Sequence, residues 1–124
     1  MPKRMKITLD GMVFHAAMLE NPLAEQVAGM CPFKLDCTRS GEHEYYTALP
    51  QRANTAGRLT TTVGHRNGLY YFEGWNAMSL VFKDCDTTPY QIHQIGEFEE
   101  DVSAVLEKAG RSIHIQCEVE QEGF

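Results

Sequence analysis

The chain has 124 residues and a formal net charge of −6, because 17 aspartates and glutamates outnumber 11 lysines and arginines. This length is that of one compact domain, and a hydrophobic fraction of 43% is enough to form a core. We therefore expect a single folded domain over residues 1–124, and neither a second domain nor a disordered chain. The acidic balance argues against nucleic acid as a partner, since nucleic-acid binders neutralise phosphates with clustered lysine and arginine.

Membrane association and secretion are not expected either. The longest apolar stretch, around residues 80–82, falls far short of the roughly 20 residues that a membrane span needs. The first residues lack the apolar segment of a secretory signal, so we expect a cytoplasmic protein. Four cysteines form no CxxC pair and are expected to be reduced thiols, and they are Cys31, Cys37, Cys85 and Cys117.

The chain opens with the pattern of a β-hairpin. Apolar and polar residues alternate over residues 5–9 and again over residues 14–18, which predicts two half-buried strands. Asp10 and Gly11 lie between them, and this pair readily takes the positive φ angles of a type I′ turn.

A short helix, a second hairpin and a long loop follow. Asn21 is a typical cap for a helix over residues 22–30, whose apolar residues recur with helical spacing. Residues 33–38 and 44–49 read as two further strands. From residue 50 to residue 64 the chain is polar and rich in threonine, asparagine and glycine, so we predict a long loop.

Two central strands are predicted at residues 69–72 and 77–82, which are apolar, aromatic and β-branched. Another strand is predicted at residues 90–95. Its two isoleucines break strict alternation, which indicates a bulge near His93, and Gly96 is expected to end the strand.

The C-terminal part of the chain predicts a helix and a closing strand. Residues 102–109 have one apolar face, and three acidic residues at 99–101 suit the positive end of the helix dipole. Gly110 is expected to end this helix in the left-handed conformation. Residues 113–119 alternate as a half-buried strand, in which Cys117 falls on the apolar face with the role of a small hydrophobic residue.

Seven or eight strands and two short helices at these spacings predict a mainly β fold, because they cannot form repeated βαβ units. A closed or nearly closed antiparallel barrel, with helices over its ends, is the arrangement that leaves no sheet edge exposed.

Several stretches of the sequence, and the order of the elements, resemble the small prokaryotic proteins of the cyclophilin-like superfamily. The resemblance covers nearly the whole chain and is carried by ITLDG at residues 7–11, ENPLA at 20–24, residues 64–82, and YQIHQIG at 90–96. It implies a closed eight-stranded antiparallel β-barrel with two short capping helices. The small relatives mostly have no assigned activity, so the resemblance implies a fold more than a function.

True cyclophilins are peptidyl-prolyl isomerases, and the resemblance offers Arg52 as the candidate catalytic residue. The family site needs a Phe-His-Arg stretch followed by Gln-Gly-Gly, and neither motif surrounds Arg52. Phe82 corresponds to the apolar wall of the family pocket, and His93 lies near its histidine, whereas Trp75 lies in another segment than its tryptophan. Isomerase activity through Arg52 is therefore an alternative function, and we expect none to be demonstrable.

The leading interpretation is binding of a small molecule or short peptide in an aromatic cleft, because polar and aromatic residues concentrate in three nearby segments. The candidate ligand-binding residues are Tyr46, Arg52, His65, Tyr71, Trp75, Phe82 and His93. The competing interpretation is that the tyrosines and phenylalanines fill the barrel.

No metal and no cofactor are expected. The only dense group of metal-ligating types is residues 42–44, and on a strand His43 points away from both flanking glutamates. No HxH, HxxxH or HExxH spacing occurs. A third interpretation is a non-enzymatic oligomeric scaffold, such as a homodimer, with the strand at 113–120 or the loop at 50–64 as its interface.

Overall fold

The structure is a computed structural model and describes residues 3–120. The two ends of the single domain expected over residues 1–124 lie outside this range. The strands within it are, in chain order, β1 (Arg4–Leu9), β2 (Met12–Met18), β3 (Phe33–Ser40), β4 (Glu44–Ala48), β5 (Val63–Gly64), β6 (Gly68–Phe72), β7 (Ala77–Val81), β8 (Cys85–Asp86), β9 (His93–Phe98) and β10 (Ser112–Glu120). The helices there are α1 (Pro22–Ala28), α2 (Ser103–Lys108) and a single 3-10 turn (Glu73–Trp75).

Eight of these strands close into one antiparallel barrel in the order β1-β10-β3-β4-β7-β6-β9-β2, and β5 pairs with β8 in a separate two-stranded sheet. The predicted fold class, a closed eight-stranded antiparallel barrel with two short helices, is confirmed. Both helices add to the barrel core, with Leu23 and Val27 from α1 and Leu106 from α2. Neither described helix has the length and apolar character to cross a membrane.

The first hairpin and the first helix form as their residues predict. Asp10 and Gly11 both have positive φ, 46° and 90°, as a type I′ turn requires. The side-chain oxygen of Asn21 accepts a hydrogen bond of 2.8 Å from the backbone N–H of Ala24, which satisfies a donor that the start of a helix leaves free. Helix α1 ends at Ala28, two residues earlier than its apolar spacing predicts.

The strand predicted at residues 90–95 is displaced along the chain. It runs from His93 to Phe98, so Gly96 lies inside β9 and does not end it. The pairing between β9 and β6 skips Ile95, which places the bulge there and not at His93. Strand β2 passes so close to Gly96 that a Cβ atom would lie 2.9 Å from the sulfur of Met18, and this crowding explains the glycine.

The three acidic residues before α2 do not act together on the helix dipole, which corrects the prediction. Asp101 accepts from the backbone N–H and hydroxyl of Ser103, the first residue of the helix, at 3.0 and 2.5 Å. Glu99 instead pairs with Arg4 on β1 at 2.8 Å. Glu100 accepts from the backbone N–H of His15 on β2 at 2.8 Å. Two of the three carboxylates therefore tie this segment to the barrel wall.

The end of α2 is held by an arginine and not by a left-handed glycine. Gly110 does not adopt a positive φ, and the helix ends at Ala109 in an extended conformation. The guanidinium of Arg39 donates to the carbonyl oxygens of Leu106 and Ala109 at 3.0 and 3.2 Å. A cation at this position also suits the negative end of the helix dipole. Arg39 therefore satisfies the last carbonyl groups of α2, the role that the sequence pattern predicts for Gly110.

Candidate functional site

The described residues form an open cleft of about 330 Å³ on the outer face of the barrel, over strands β4, β7 and β6. Strand β7 builds its floor. Met78 and Leu80 are large and point into the core, whereas the alternate residues Ala77, Ser79 and Val81 are small and line the cleft. Small residues on the outward face of a central strand leave a depression between the larger side chains of its neighbours.

Four aromatic rings in a row form the apolar wall of the cleft, and we call them the aromatic row: Tyr46, Trp75, Phe72 and Tyr90. Neighbouring ring centroids are 5.5 Å apart for Tyr46 and Trp75, 5.5 Å for Trp75 and Phe72, and 5.8 Å for Phe72 and Tyr90. These spacings are those of aromatic pairs in contact. Trp75 and Tyr90 nevertheless remain 64% and 61% exposed, so much of their aromatic surface still faces water.

The turn that carries Trp75 is fixed by Asn76, which adopts a left-handed conformation with φ 49°. Its amide nitrogen donates to the carbonyl oxygen of Gln51 at 3.0 Å, and its amide oxygen accepts from the hydroxyl of Tyr71 at 2.5 Å. Asparagine tolerates this conformation better than most residues. The exposed indole is therefore carried by a turn that the side chain of Asn76 ties to Gln51 and Tyr71.

The opposite wall of the cleft comes from the small sheet of β5 and β8 and the chain that follows it. Gly64 in β5 lies so close to β8 that a Cβ atom would be 2.9 Å from the sulfur of Cys85. The backbones of Thr61 and Ile92 exchange two hydrogen bonds of 2.8 Å, which hold this layer together. The end of the predicted loop at residues 50–64 is thus ordered by pairing with β8, which is short and distant in sequence.

Two of the polar groups that line the cleft are carboxylates, those of Glu44 and Asp86. His43 and Glu44 are joined at 2.8 Å between Nε2 and Oε2, and the Glu44 side chain is only 17% exposed. Asp86 accepts from the hydroxyl and the backbone N–H of Thr88, at 2.5 and 2.9 Å. These hydrogen bonds lower the pKa of Asp86, so this carboxylate stays ionised at neutral pH.

The thiol of Cys85 also lines the cleft, and its environment disfavours the thiolate. Burial raises the pKa of Cys85, and the charge of Glu44 raises it further. Because the thiolate is the nucleophilic form, Cys85 is not activated for covalent chemistry at neutral pH. Burial likewise raises the pKa of Cys37 in the core to about 12.

The structure brings together two of the seven residues predicted for the site, Tyr46 and Trp75. Tyr71 and Phe82 do not line this cleft, because both are buried in the barrel core. Alternation along β6 explains Tyr71, since Tyr70 and Phe72 take the outward face and Tyr71 takes the inward one.

The remaining three predicted residues do not line this cleft either. Arg52 is exposed and donates to the backbone carbonyl of Glu73 at 2.9 Å. His65 is exposed, and its backbone N–H donates to the hydroxyl of Tyr70 at 2.9 Å. His93 is buried, with Nδ1 at 2.9 Å from the carbonyl oxygen of Leu59.

The geometry required by the isomerase alternative does not form around Arg52. Phe82 is covered by a different arginine, since the guanidinium of Arg39 lies 4.8 Å from its ring centroid and 5.6 Å from that of Tyr45. Arg39 is committed to the end of α2, and Phe82 is buried. Phe82 is therefore part of the barrel core, with Arg39 lying over its ring.

Sequence reasoning missed Phe72, Tyr90, Ser79 and the two carboxylates of the cleft, Glu44 and Asp86. The sequence does contain a signal for Phe72, because alternation along β6 places Phe72 on the face opposite to that of Leu69 and Tyr71. Tyr90 lies in an irregular segment, where no periodicity indicates a partner. Among the described residues, no group of three histidine, cysteine or acidic side chains is arranged to hold a metal ion.

A family model described as the cyclophilin-like family matches residues 7–118. The chain belongs to this cyclophilin-like family. Its fold is similar to the solution structure of a hypothetical protein from Archaeoglobus fulgidus, with a TM-score of 0.67, 16% sequence identity and coverage of 94% of each chain. No curated protein matches the chain. At 16% identity this neighbour shows a shared fold and no more.

Proposed function

We propose that this cyclophilin-like barrel binds a small molecule or short peptide in the cleft over β4, β7 and β6. The observation that carries the proposal is the aromatic row, in which Trp75 and Tyr90 remain 64% and 61% exposed beside a concave surface. Large exposed aromatic side chains around a depression are typical of ligand-binding sites. A volume of about 330 Å³ suits a small ligand or one to two residues of a peptide.

The energy available from the aromatic row sets the affinity to expect. Covering about half of the exposed surface of Trp75 and Tyr90 removes on the order of 150 Å² from water, which contributes about 4 kcal/mol. Because association itself costs at least about 4 kcal/mol of lost translational and rotational freedom, this amount alone does not give measurable binding. The polar groups on the floor and at the rim, such as Ser79 and Asp86, must therefore supply the rest of the affinity and the selectivity.

The test uses Trp75, which is the single tryptophan of the chain and therefore an intrinsic reporter of the cleft. Backbone amide spectra and tryptophan fluorescence are followed while a panel of small amines, amides and acids and a capped proline tetrapeptide are added. We expect at least one member to give saturable changes concentrated in β4, β7 and residues 85–92.

The variant Ser79→Leu fills the floor of the cleft from its outward side and should abolish that binding. Thr8→Leu, on the outward face of β1, which lies across the barrel from β7, is the matched control and should bind as the wild type does. Absence of saturable binding at the cleft, or equal binding by Ser79→Leu, rejects the proposal.

A further inference from the structure

The charges around the cleft are all of one sign at alkaline pH. Glu44 and Asp86 contribute carboxylates, and none of the described residues that line the cleft is a lysine or arginine. His43 is the one lining group that gains a positive charge on protonation, and it is held by Glu44 at 2.8 Å. An anionic ligand would meet two carboxylates and no compensating cation.

The uncharged polar groups near Asp86 strengthen this preference, because their protons are already donated within the protein. The hydroxyl of Thr88 donates to Asp86 at 2.5 Å, and the hydroxyl of Thr87 donates to the carbonyl oxygen of Tyr90 at 2.6 Å. What these hydroxyls still offer to a ligand is oxygen lone pairs. The part of the rim around Asp86 therefore favours a ligand that donates hydrogen bonds or carries positive charge.

The aromatic row adds a second attraction of the same sign. A cation near the face of a tryptophan or tyrosine ring is attracted by the ring quadrupole, and tryptophan is the strongest partner. Trp75 is at the centre of the row, in contact with Tyr46 and Phe72 and largely open to solvent. The rings and the carboxylates border the same cleft.

We propose that the occupant of the cleft is a free organic ammonium ion, held between the rings of the aromatic row and the carboxylates of Glu44 and Asp86. This inference rests on the proposed function and specifies its ligand class. A neutral ligand of the same shape gains the apolar contacts with the rings but neither the ring quadrupole nor the carboxylates. The cleft thus discriminates by charge as well as by shape.

The experiment compares two probes of nearly equal shape, choline and its uncharged isostere 3,3-dimethylbutan-1-ol, by titration of amide spectra and Trp75 fluorescence. It is performed at about pH 8, where an ordinary histidine is neutral. We expect choline to bind about tenfold more tightly than the isostere. A pentapeptide of glycines around one trimethyl-lysine should bind no more tightly than choline, and tighter binding overturns the assignment to a free small ion.

Glu44→Gln and Asp86→Asn remove one charge each and keep an oxygen acceptor for His43 and Thr88, so both should fold. Each should weaken choline binding several-fold and leave isostere binding unchanged. Glu118→Gln on β10, which β3 separates from β4, is the control carboxylate and should change neither.

Equal affinity for the two probes, or choline binding unaffected by both cleft variants, overturns the inference. If members of the panel in the previous section bind the cleft in that case, the proposed function stands and only the charge class is wrong. If no probe and no panel member binds there, both are rejected.

Discussion

The two faces of strands β4, β6 and β7 carry side chains of similar chemistry and put them to different uses. On the inward face, Tyr45, Tyr71 and Leu80 are wholly buried in one continuous core. On the outward face of the same strands, Tyr46 and Phe72 border an open cleft over the small floor residue Ser79. Aromatic content alone therefore does not distinguish a core from a binding surface. The difference arises from the phase of alternation and from what lies opposite each ring.

The largest expected effect is on the inward face of β7. Leu80→Ala leaves a cavity at a fully buried position and should lower the free energy of unfolding by about 2–5 kcal/mol. Ser79→Ala, one residue away on the outward face, should change it by less than about 1 kcal/mol. Urea denaturation of the two variants measures the contrast. Similar losses in both would break the distinction between the two faces.

The second largest effect on stability is expected at Arg39, which covers the ring of Phe82 and donates to the last carbonyl groups of α2. Arg39→Met keeps an apolar cover for the ring but removes the donors and the charge. We expect faster amide hydrogen exchange in residues 103–108 and a lower urea midpoint, with a smaller loss than in Leu80→Ala. Arg39→Lys keeps the positive charge but lacks the planar guanidinium, so its urea midpoint should lie between those of Arg39→Met and the wild type. Unchanged exchange in α2 would contradict this role.

A smaller, pH-dependent effect is expected outside the core, at Glu100. Burial raises the pKa of Glu100, but hydrogen bonds from the ring and backbone of His15 outweigh it and leave the pKa lowered. A carboxylate with a lowered pKa in the folded state stabilises the protein above its unfolded pKa and ceases to do so as pH falls through the folded value. Unfolding stability should therefore decline below about pH 4. Glu100→Gln should flatten that decline, as followed by urea midpoints between neutral and acid pH.

The smallest expected effect is on prolyl isomerisation. Arg52 is exposed and bound to the carbonyl of Glu73, and Phe82 is enclosed in the core, so the two do not form a pocket for a proline ring. In a protease-coupled assay with a proline peptide, the wild type and Arg52→Ala should both match the rate in buffer. A rate above buffer that disappears in Arg52→Ala would restore the isomerase alternative.

Local sequence was sufficient for much of the fold. The Asp10-Gly11 turn, the cap at Asn21 and the apolar phase of β10 each follow from conformational preference or from alternation over a few residues. The misplaced features depend on contacts from distant segments. Gly96 continues β9 because β2 crowds it, and Arg39 replaces Gly110 at the end of α2 because β3 brings a guanidinium there.

The candidate site divides in the same way. The sequence by itself determined a mainly β domain, the succession of its barrel strands along the chain, and a segment rich in aromatic residues around Trp75. Alternation shows that Tyr70 and Tyr71 lie on opposite faces, but not which face meets the core. Only the closed barrel decided that Tyr71 fills its interior, and only the pairing of β5 with β8 brought residues 85–92 over β7. The reason is that alternation along a strand shows only which of its residues share a face, whereas a cleft forms where segments distant in the sequence come together in the folded chain.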